Sequence, residues 1–232
     1  MAGSIKSDLA KAASAEKART LRRFFKTGKG EYGEGDIFLG VTVPQQRNIA
    51  RKYIGTDLNE LEKLISSKIH EHRLTALLIL VEKYQKAVKN DRKKIADFYL
   101  ENKKFVNNWD LVDLSADKIL GDYIFDKDKK ILHGLAKSQN VWERRISIIS
   151  TFNFIKRNDF EDALKISEML LQDKHDLIQK AVGWMLREIG KRDQKSEEKF
   201  LRKHYRNMPR TTLRYAIERF DKKKRKFYMR TG

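Results

Sequence analysis

From residue 44 to residue 220 the chain rarely loses a helical period, and its two prolines, Pro44 and Pro209, stand where helices would begin. This pattern constrains the fold more than any other feature. Proline is tolerated in the first turn of a helix and costs about 3 kcal/mol in its interior. A chain that confines proline to helix starts leaves the rest free to be helical. Leu61, Leu64, Ile65 and Ile69 form one apolar stripe, and Leu74, Leu77, Leu78 and Val81 form another. Residues three and four apart share one side of a helix, whereas a half-buried strand alternates at every second residue. No stretch sustains that alternation, so the fold class is all-α.

Helices are expected over residues 4–26, with a break near Ser14, whose hydroxyl can cap a second segment. Further helices follow over 44–53, through the two apolar stripes, and then near 91–102, 108–120, 127–137, 141–156, 159–171, 175–191, 195–205 and 209–220. Between the first two groups, Gly28, Gly30, Gly33, Gly35 and Gly40 interrupt the pattern. No Gly-Lys-Ser/Thr follows them and no strand precedes them, which argues against a nucleotide cradle. The segment reads as a flexible connection that a ligand could order. The organisation implied is a single repeat domain over 1–232: N-terminal helices and the glycine-rich connection over 1–43, helical repeats over 44–220, and a basic tail over 221–232.

The short helix pairs suggest repeats. Asn108-Trp-Asp-Leu-Val-Asp113 aligns with Asn140-Val-Trp-Glu-Arg-Arg145 and with His175-Asp-Leu-Ile-Gln-Lys180, and the register extends to Arg73 and Arg214. The successive separations of 40, 32, 35 and 34 residues resemble those of HEAT-type helix pairs. Stacked pairs curve into a superhelix, an α-solenoid, in which equivalent positions line one concave surface. Here they would be Arg73, Arg145, Lys180 and Arg214, with Asp113 the one acid among them. A row of cations suits a phosphate backbone. The 51 Lys and Arg against 32 Asp and Glu, net charge +19, favour a polyanionic partner, nucleic acid ahead of an anionic membrane surface.

Other classes recede. Without cysteine there is no disulfide, no thiolate nucleophile and no Cys-ligated metal. His70-Glu71-His72 spaces its imidazoles two apart, which does not put both on one helix face. The N-terminal Met1-Ala2-Gly3-Ser4-Ile5-Lys6 lacks the apolar core of a signal peptide, and the longest apolar run, Ala76 to Val81, is too short for a membrane span. The expectation is a soluble cytoplasmic monomer with no metal and no cofactor.

Trp109 and Asp113 are four apart and so share a helix face. A carboxylate in a row that meets DNA needs a reason, either as the ion-pair partner of Arg145 or a neighbour, or as a reactive group. The tryptophan beside it favours the second. Lys180, Trp184 and Arg187 share another face, and Gly183 beside them costs about 1 kcal/mol of helix propensity, as a close backbone approach would explain. Trp142 reads as core. The cluster Asp221-Lys-Lys-Lys-Arg-Lys226 reads as a solvated end that adds nonspecific attraction for DNA.

Together the segments Phe38-Leu-Gly-Val-Thr-Val-Pro-Gln-Gln-Arg47, Trp109-Asp-Leu-Val-Asp113, Asn140-Val-Trp-Glu-Arg-Arg145 and Gln179-Lys-Ala-Val-Gly-Trp-Met-Leu-Arg187 resemble the AlkD-like DNA glycosylases, HEAT-like-repeat enzymes of DNA alkylation repair. The resemblance covers nearly the whole chain. It implies a catalytic carboxylate at Asp113, aromatic faces at Trp109 and Trp184, and a backbone-contacting arginine at Arg145. Arg187 and Arg47 become further DNA contacts, and Phe24 stands where the family often has a tyrosine, without its hydroxyl. The implied substrate is duplex DNA containing cationic N3- or N7-alkylated purines, such as 3-methyladenine or 7-methylguanine, excised without base flipping. A related subgroup lacks the catalytic acid, and Asp113 argues against membership in it. Two other classes are a noncatalytic HEAT-like duplex-DNA-binding scaffold and an α-solenoid for an acidic protein or RNA.

Overall fold

The computed structural model describes residues 4–230. Residues 1–3 of the segment read as lacking a signal peptide lie outside the described residues, as do 231–232 of the basic tail. The described residues are helical throughout, apart from turns and one isolated pairing of Ile37 with Ile69. Among them no helix is long and apolar enough to cross a membrane. The chain forms two compact units, Met1–Ser115 and Ala116–Gly232.

In the first unit, α1 (Ile5–Lys11) and α2 (Ala15–Phe24) are separated at Ser14, whose hydroxyl accepts the Lys17 amide at 3.4 Å, as expected of a cap. In α3 (Val43–Lys52), Pro44 lies in the first turn. Asp57 caps α4 (Leu58–Ile65) through the Glu60 amide at 2.8 Å. The centre of the unit is α5 (His70–Lys86), packed against α3 and α4. Leu74 and every residue from Ala76 to Val81 are buried. A helix buried on all sides must satisfy its polar residues internally, and α5 opens with four of them, His70, Glu71, His72 and Arg73. After α6 (Lys89–Glu101) comes α7 (Trp109–Asp113).

The glycine-rich segment is fastened by the chain's own groups rather than left as a loose connection. The Glu71 carboxylate, 1% exposed, accepts the backbone amides of Leu39 (3.0 Å), Gly40 (2.7 Å) and Val41 (3.2 Å). The His70 amide donates to Ile37 O at 2.8 Å. Gly40 has φ +85°, and a Cβ there would overlap the Ser14 carbonyl oxygen and lie 2.6 Å from the Ala18 amide. Only glycine allows the segment to lie this close to α2.

The helix expected over 108–120 ends early, at Asp113. The Ser115 hydroxyl donates to the Leu111 carbonyl at 2.6 Å, a back-bond that bends helices. The second unit then opens with a π-turn, Asp117–Gly121, leading into α8 (Asp122–Ile124). It continues through α9 (Lys130–Ala136), α10 (Val141–Ser150), α11 (Phe152–Lys156) and α12 (Glu161–Met169). Thr151 divides the helix expected over 141–156, and Trp142 is core, 8% exposed. Next come α13 (Asp176–Gly190), α14 (Gln194–His204) and α15 (Arg210–Ala216). Helix α13 packs against α10, α14 and, most extensively, α15. Gly183 makes the last contact possible, since a Cβ there would lie 2.5 Å from both the Thr212 carbonyl oxygen and Tyr215 Cβ. The tail is not a loose solvated end but a docked helix, α16 (Lys222–Arg230).

Candidate active site

In the first unit, α7 is held by a buried chain of charges. Asn108 caps it by accepting the Trp109 amide at 2.8 Å, and the Asn108 side-chain amide donates to Asp36 Oδ2 at 3.1 Å. Asp36 comes from the glycine-rich segment and also receives Arg73 Nη2 at 2.6 Å. Between them lies His70, its Nδ1 3.1 Å from Asp36 Oδ2 and its Nε2 2.9 Å from Asp110 Oδ2. Both ring nitrogens can donate only in the imidazolium form. Burial opposes that charge, but Asp110 and then Asp36 outweigh it and raise the His70 pKa to about 9. Burial likewise works against the Asp36 carboxylate, yet His70 and Arg73 prevail and hold its pKa below the ordinary value. Thus α5, the glycine-rich segment and α7 are joined through one imidazolium.

Against this network stands an aromatic wall. His70 stacks on Phe38 with ring centroids 4.6 Å apart, Phe38 on Phe25 at 5.1 Å, and Phe25 on Trp109 at 5.1 Å with 13° between the planes. Phe24, 61% exposed, meets Trp109 edge-on at 5.8 Å. The indole plane is therefore fixed by neighbours on the first unit. Asp110 is buried and committed to His70, whereas Asp113, one turn beyond Trp109, is half-buried. The first unit thus brings together Phe24, Trp109 and the helix that bears Asp113. Arg47 stands exposed on α3.

Arg73 requires a correction. It is 3% exposed and its guanidinium is spent on Asp36 and on Ser67 O, the latter at 2.9 Å, so it presents no cation to a phosphate. The cause is a register one residue out. Asp113, Arg145, Lys180 and Arg214 each lie five residues past the capping residues Asn108, Asn140, His175 and Pro209, but Arg73 lies four past Ile69. The α5 residue in register is Leu74, which is buried. The true counterparts of Arg73 are Arg144, which donates to Ser138 O at 2.9 Å, and Gln179, which donates to Asp173 O at 2.9 Å. This position ties α5, α10 and α13 back to the loop before each of them.

In the second unit, Arg145 is 5% exposed and donates Nη1 to Leu177 O at 2.5 Å, at the start of α13. Trp184 is half-buried, lies 5.6 Å from the Phe152 ring and donates Nε1 to Glu188 at 3.1 Å. One turn before it, Lys180 pairs with Asp176 at 2.7 Å, and one turn after it Arg187 pairs with Glu218. Such pairs are weak where exposed and can be exchanged for phosphate contacts. Arg214 is exposed on α15.

Sequence spacing does not point to His70, Asp36, Asp110 or Glu71. The signal that could have found them is the run of four ionisable residues opening an apolar helix. Among the described residues no group of three or more His, Asp or Glu side chains could hold a metal ion.

An all-helical chain with paired, capped helices, three of them tied by the same position to the loop before, defines a helical-repeat protein. The DNA alkylation repair enzyme family model matches residues 5–220, and the chain belongs to that family. Among solved structures, a protein described as a predicted DNA alkylation repair enzyme from Enterococcus faecalis superposes with a TM-score of 0.69 at 16% identity, covering 90% of this chain and 97% of that one. AlkD2 from Streptococcus mutans gives 0.58 at 18% identity, covering 94% and 100%. The smu.31 protein of Streptococcus mutans UA159 gives 0.56 at 18% identity, covering 89% and 98%. At these identities the likeness concerns the fold. No curated protein matches the sequence.

Proposed function

We propose that the protein is a monofunctional DNA glycosylase that hydrolyses the N-glycosidic bond of cationic N3- or N7-alkylated purines in duplex DNA. The observation that carries the proposal is α7: a tryptophan with a fixed plane and, one turn away, a half-buried aspartate. Alkylation gives the base a positive charge and makes it a good leaving group. When the bond breaks, its electron pair goes to the base and the deoxyribose becomes an oxocarbenium ion. Water then attacks C1′ and gives up a proton to Asp113 or to solvent. A carboxylate about 4 Å from that cation, at an effective dielectric of about 20, contributes roughly 4 kcal/mol. That is about a thousandfold in rate, enough for a leaving group already activated by charge.

The Trp109 ring favours the same cation through its quadrupole, by about 0.5–2 kcal/mol. Because Phe25 already fixes the indole plane, little ordering remains to be done when the sugar arrives. Trp184 is assigned the equivalent aromatic role on α13, and Arg187, Lys180, Arg47 and Arg214 the phosphate contacts, while Arg145, buried and bonded to Leu177 O, braces the start of α13. Nothing in this chemistry needs the base to leave the stack.

The test is release of free base from duplex DNA containing 7-methylguanine. Wild type should release it, and Asp113→Asn, which keeps the shape and loses the charge, should be slower by about two to three orders of magnitude while still binding DNA. Equal rates would remove Asp113 from the chemistry.

A further inference from the structure

The family match ends at Phe220, and α16 lies wholly beyond it. One side of α16 is anchored. Tyr228 is 3% exposed and packs edge-on to Tyr205 at 5.4 Å and against Phe220 at 5.8 Å. Lys224, on the same side, pairs with Glu198. Asp221 accepts the Lys224 amide at 2.9 Å, and Arg210 donates to Met229 O at 2.7 Å at the far end. The opposite side carries Lys222, Lys226 and Arg230 at successive helical turns, flanked by Lys223 and Arg225, all exposed. None of these five forms an ion pair among the described residues, and the helix contains no acid.

We propose that the outer face of α16 is a second duplex-DNA surface, one that grips the phosphate backbone without regard to sequence or damage. The Lys222–Lys226–Arg230 stripe is about 12 Å long at 1.5 Å per residue. A duplex carries about seven charges over that length. The stripe therefore meets an anionic row at least as dense as itself. A membrane surface fits less well. A helix that lies in a bilayer interface needs an apolar face to bury, and that face of α16 is already spent on Tyr205 and Phe220, leaving only Phe227 exposed. The choice of duplex DNA rests on the function proposed above, but the surface uses none of the residues assigned to the chemistry.

The test uses the full chain and a variant with Lys222→Gln, Lys226→Gln and Arg230→Gln, all solvent-facing changes that spare the Tyr228 anchor. Affinity for undamaged duplex is measured as a function of salt. The slope of log K against log salt should fall by about 0.9 for each phosphate that is no longer neutralised, thus by about two to three units in all. Preference for damaged over undamaged duplex should stay the same, as should the rate of base release at saturating protein. An unchanged slope overturns the proposal. So does a variant that loses binding to vesicles containing anionic phospholipid while its DNA binding is intact. If wild type releases no base yet the slope still falls in the variant, the α16 surface stands and the glycosylase assignment fails.

Discussion

His70 is the residue at which a single proton matters most. Protonated, it donates to Asp36 and Asp110 and so joins the glycine-rich segment to α7. Neutral, it can serve only one of them and leaves a buried carboxylate facing a lone pair. Its pKa is about 9 in the folded protein and about 6.5 in an unfolded chain. The stabilisation from this group is therefore complete below the unfolded value and is lost as pH rises through the folded one. The gap corresponds to roughly 3 kcal/mol. Asp36, with its lowered pKa, acts in the opposite direction and gives up its share only in acid. Denaturant unfolding at about pH 6 and about pH 9.5 should show wild type losing stability between them and His70→Gln losing much less. Parallel losses in both proteins would mean that other groups carry the pH dependence.

At the scale of elements, two glycines in helices make a controlled comparison. Replacing a helix-interior glycine with alanine should gain about 1 kcal/mol when nothing interferes. Gly134 in α9 meets that condition, since a Cβ there has no atom within 4 Å. Gly183 does not, because α15 backbone lies against it. Overpacking of that kind costs about 1–3 kcal/mol. Thermal unfolding should thus show Gly134→Ala stabilised and Gly183→Ala destabilised, and two shifts of the same sign would contradict the packing of α13 on α15.

Legibility in the sequence follows the same division between local and distant causes. The Ser14 break, both proline starts and the tight approach at Gly183 are legible because each leaves a telling residue type at its own position, a capping serine, a proline or a glycine inside a helical pattern. Arg73 falls out of place because a one-residue register error is invisible without the capping residues. The early end of α7 depends on one serine back-bond that the apolar pattern does not reveal, and the docking of α16 depends on Tyr228 meeting Tyr205 and Phe220, which the run of basic residues masks. The role of His70 escapes any argument from spacing because its two partners, Asp36 and Asp110, lie 34 and 40 residues away.

For the molecule as a whole, the net charge of +19 would, under the proposed function, attract the substrate and oppose the chemistry. A positive field draws DNA but repels an oxocarbenium ion, so the transition state needs a carboxylate close enough to dominate locally. These two effects should respond differently to salt. Binding that neutralises about six to ten phosphates weakens by roughly 10³–10⁵ between about 50 mM and 200 mM salt. An interaction across about 4 Å, well inside the Debye length of about 8–10 Å, is barely screened. Single-turnover release of 7-methylguanine should therefore keep its saturating rate within about threefold over this range, while the protein concentration for half-saturation climbs by orders of magnitude. Any residual change in the saturating rate should be an increase, since salt screens the distant cations more than the adjacent aspartate. A saturating rate that falls as steeply as the affinity would instead place the catalytic advantage in long-range charge, and Asp113 would lose its role.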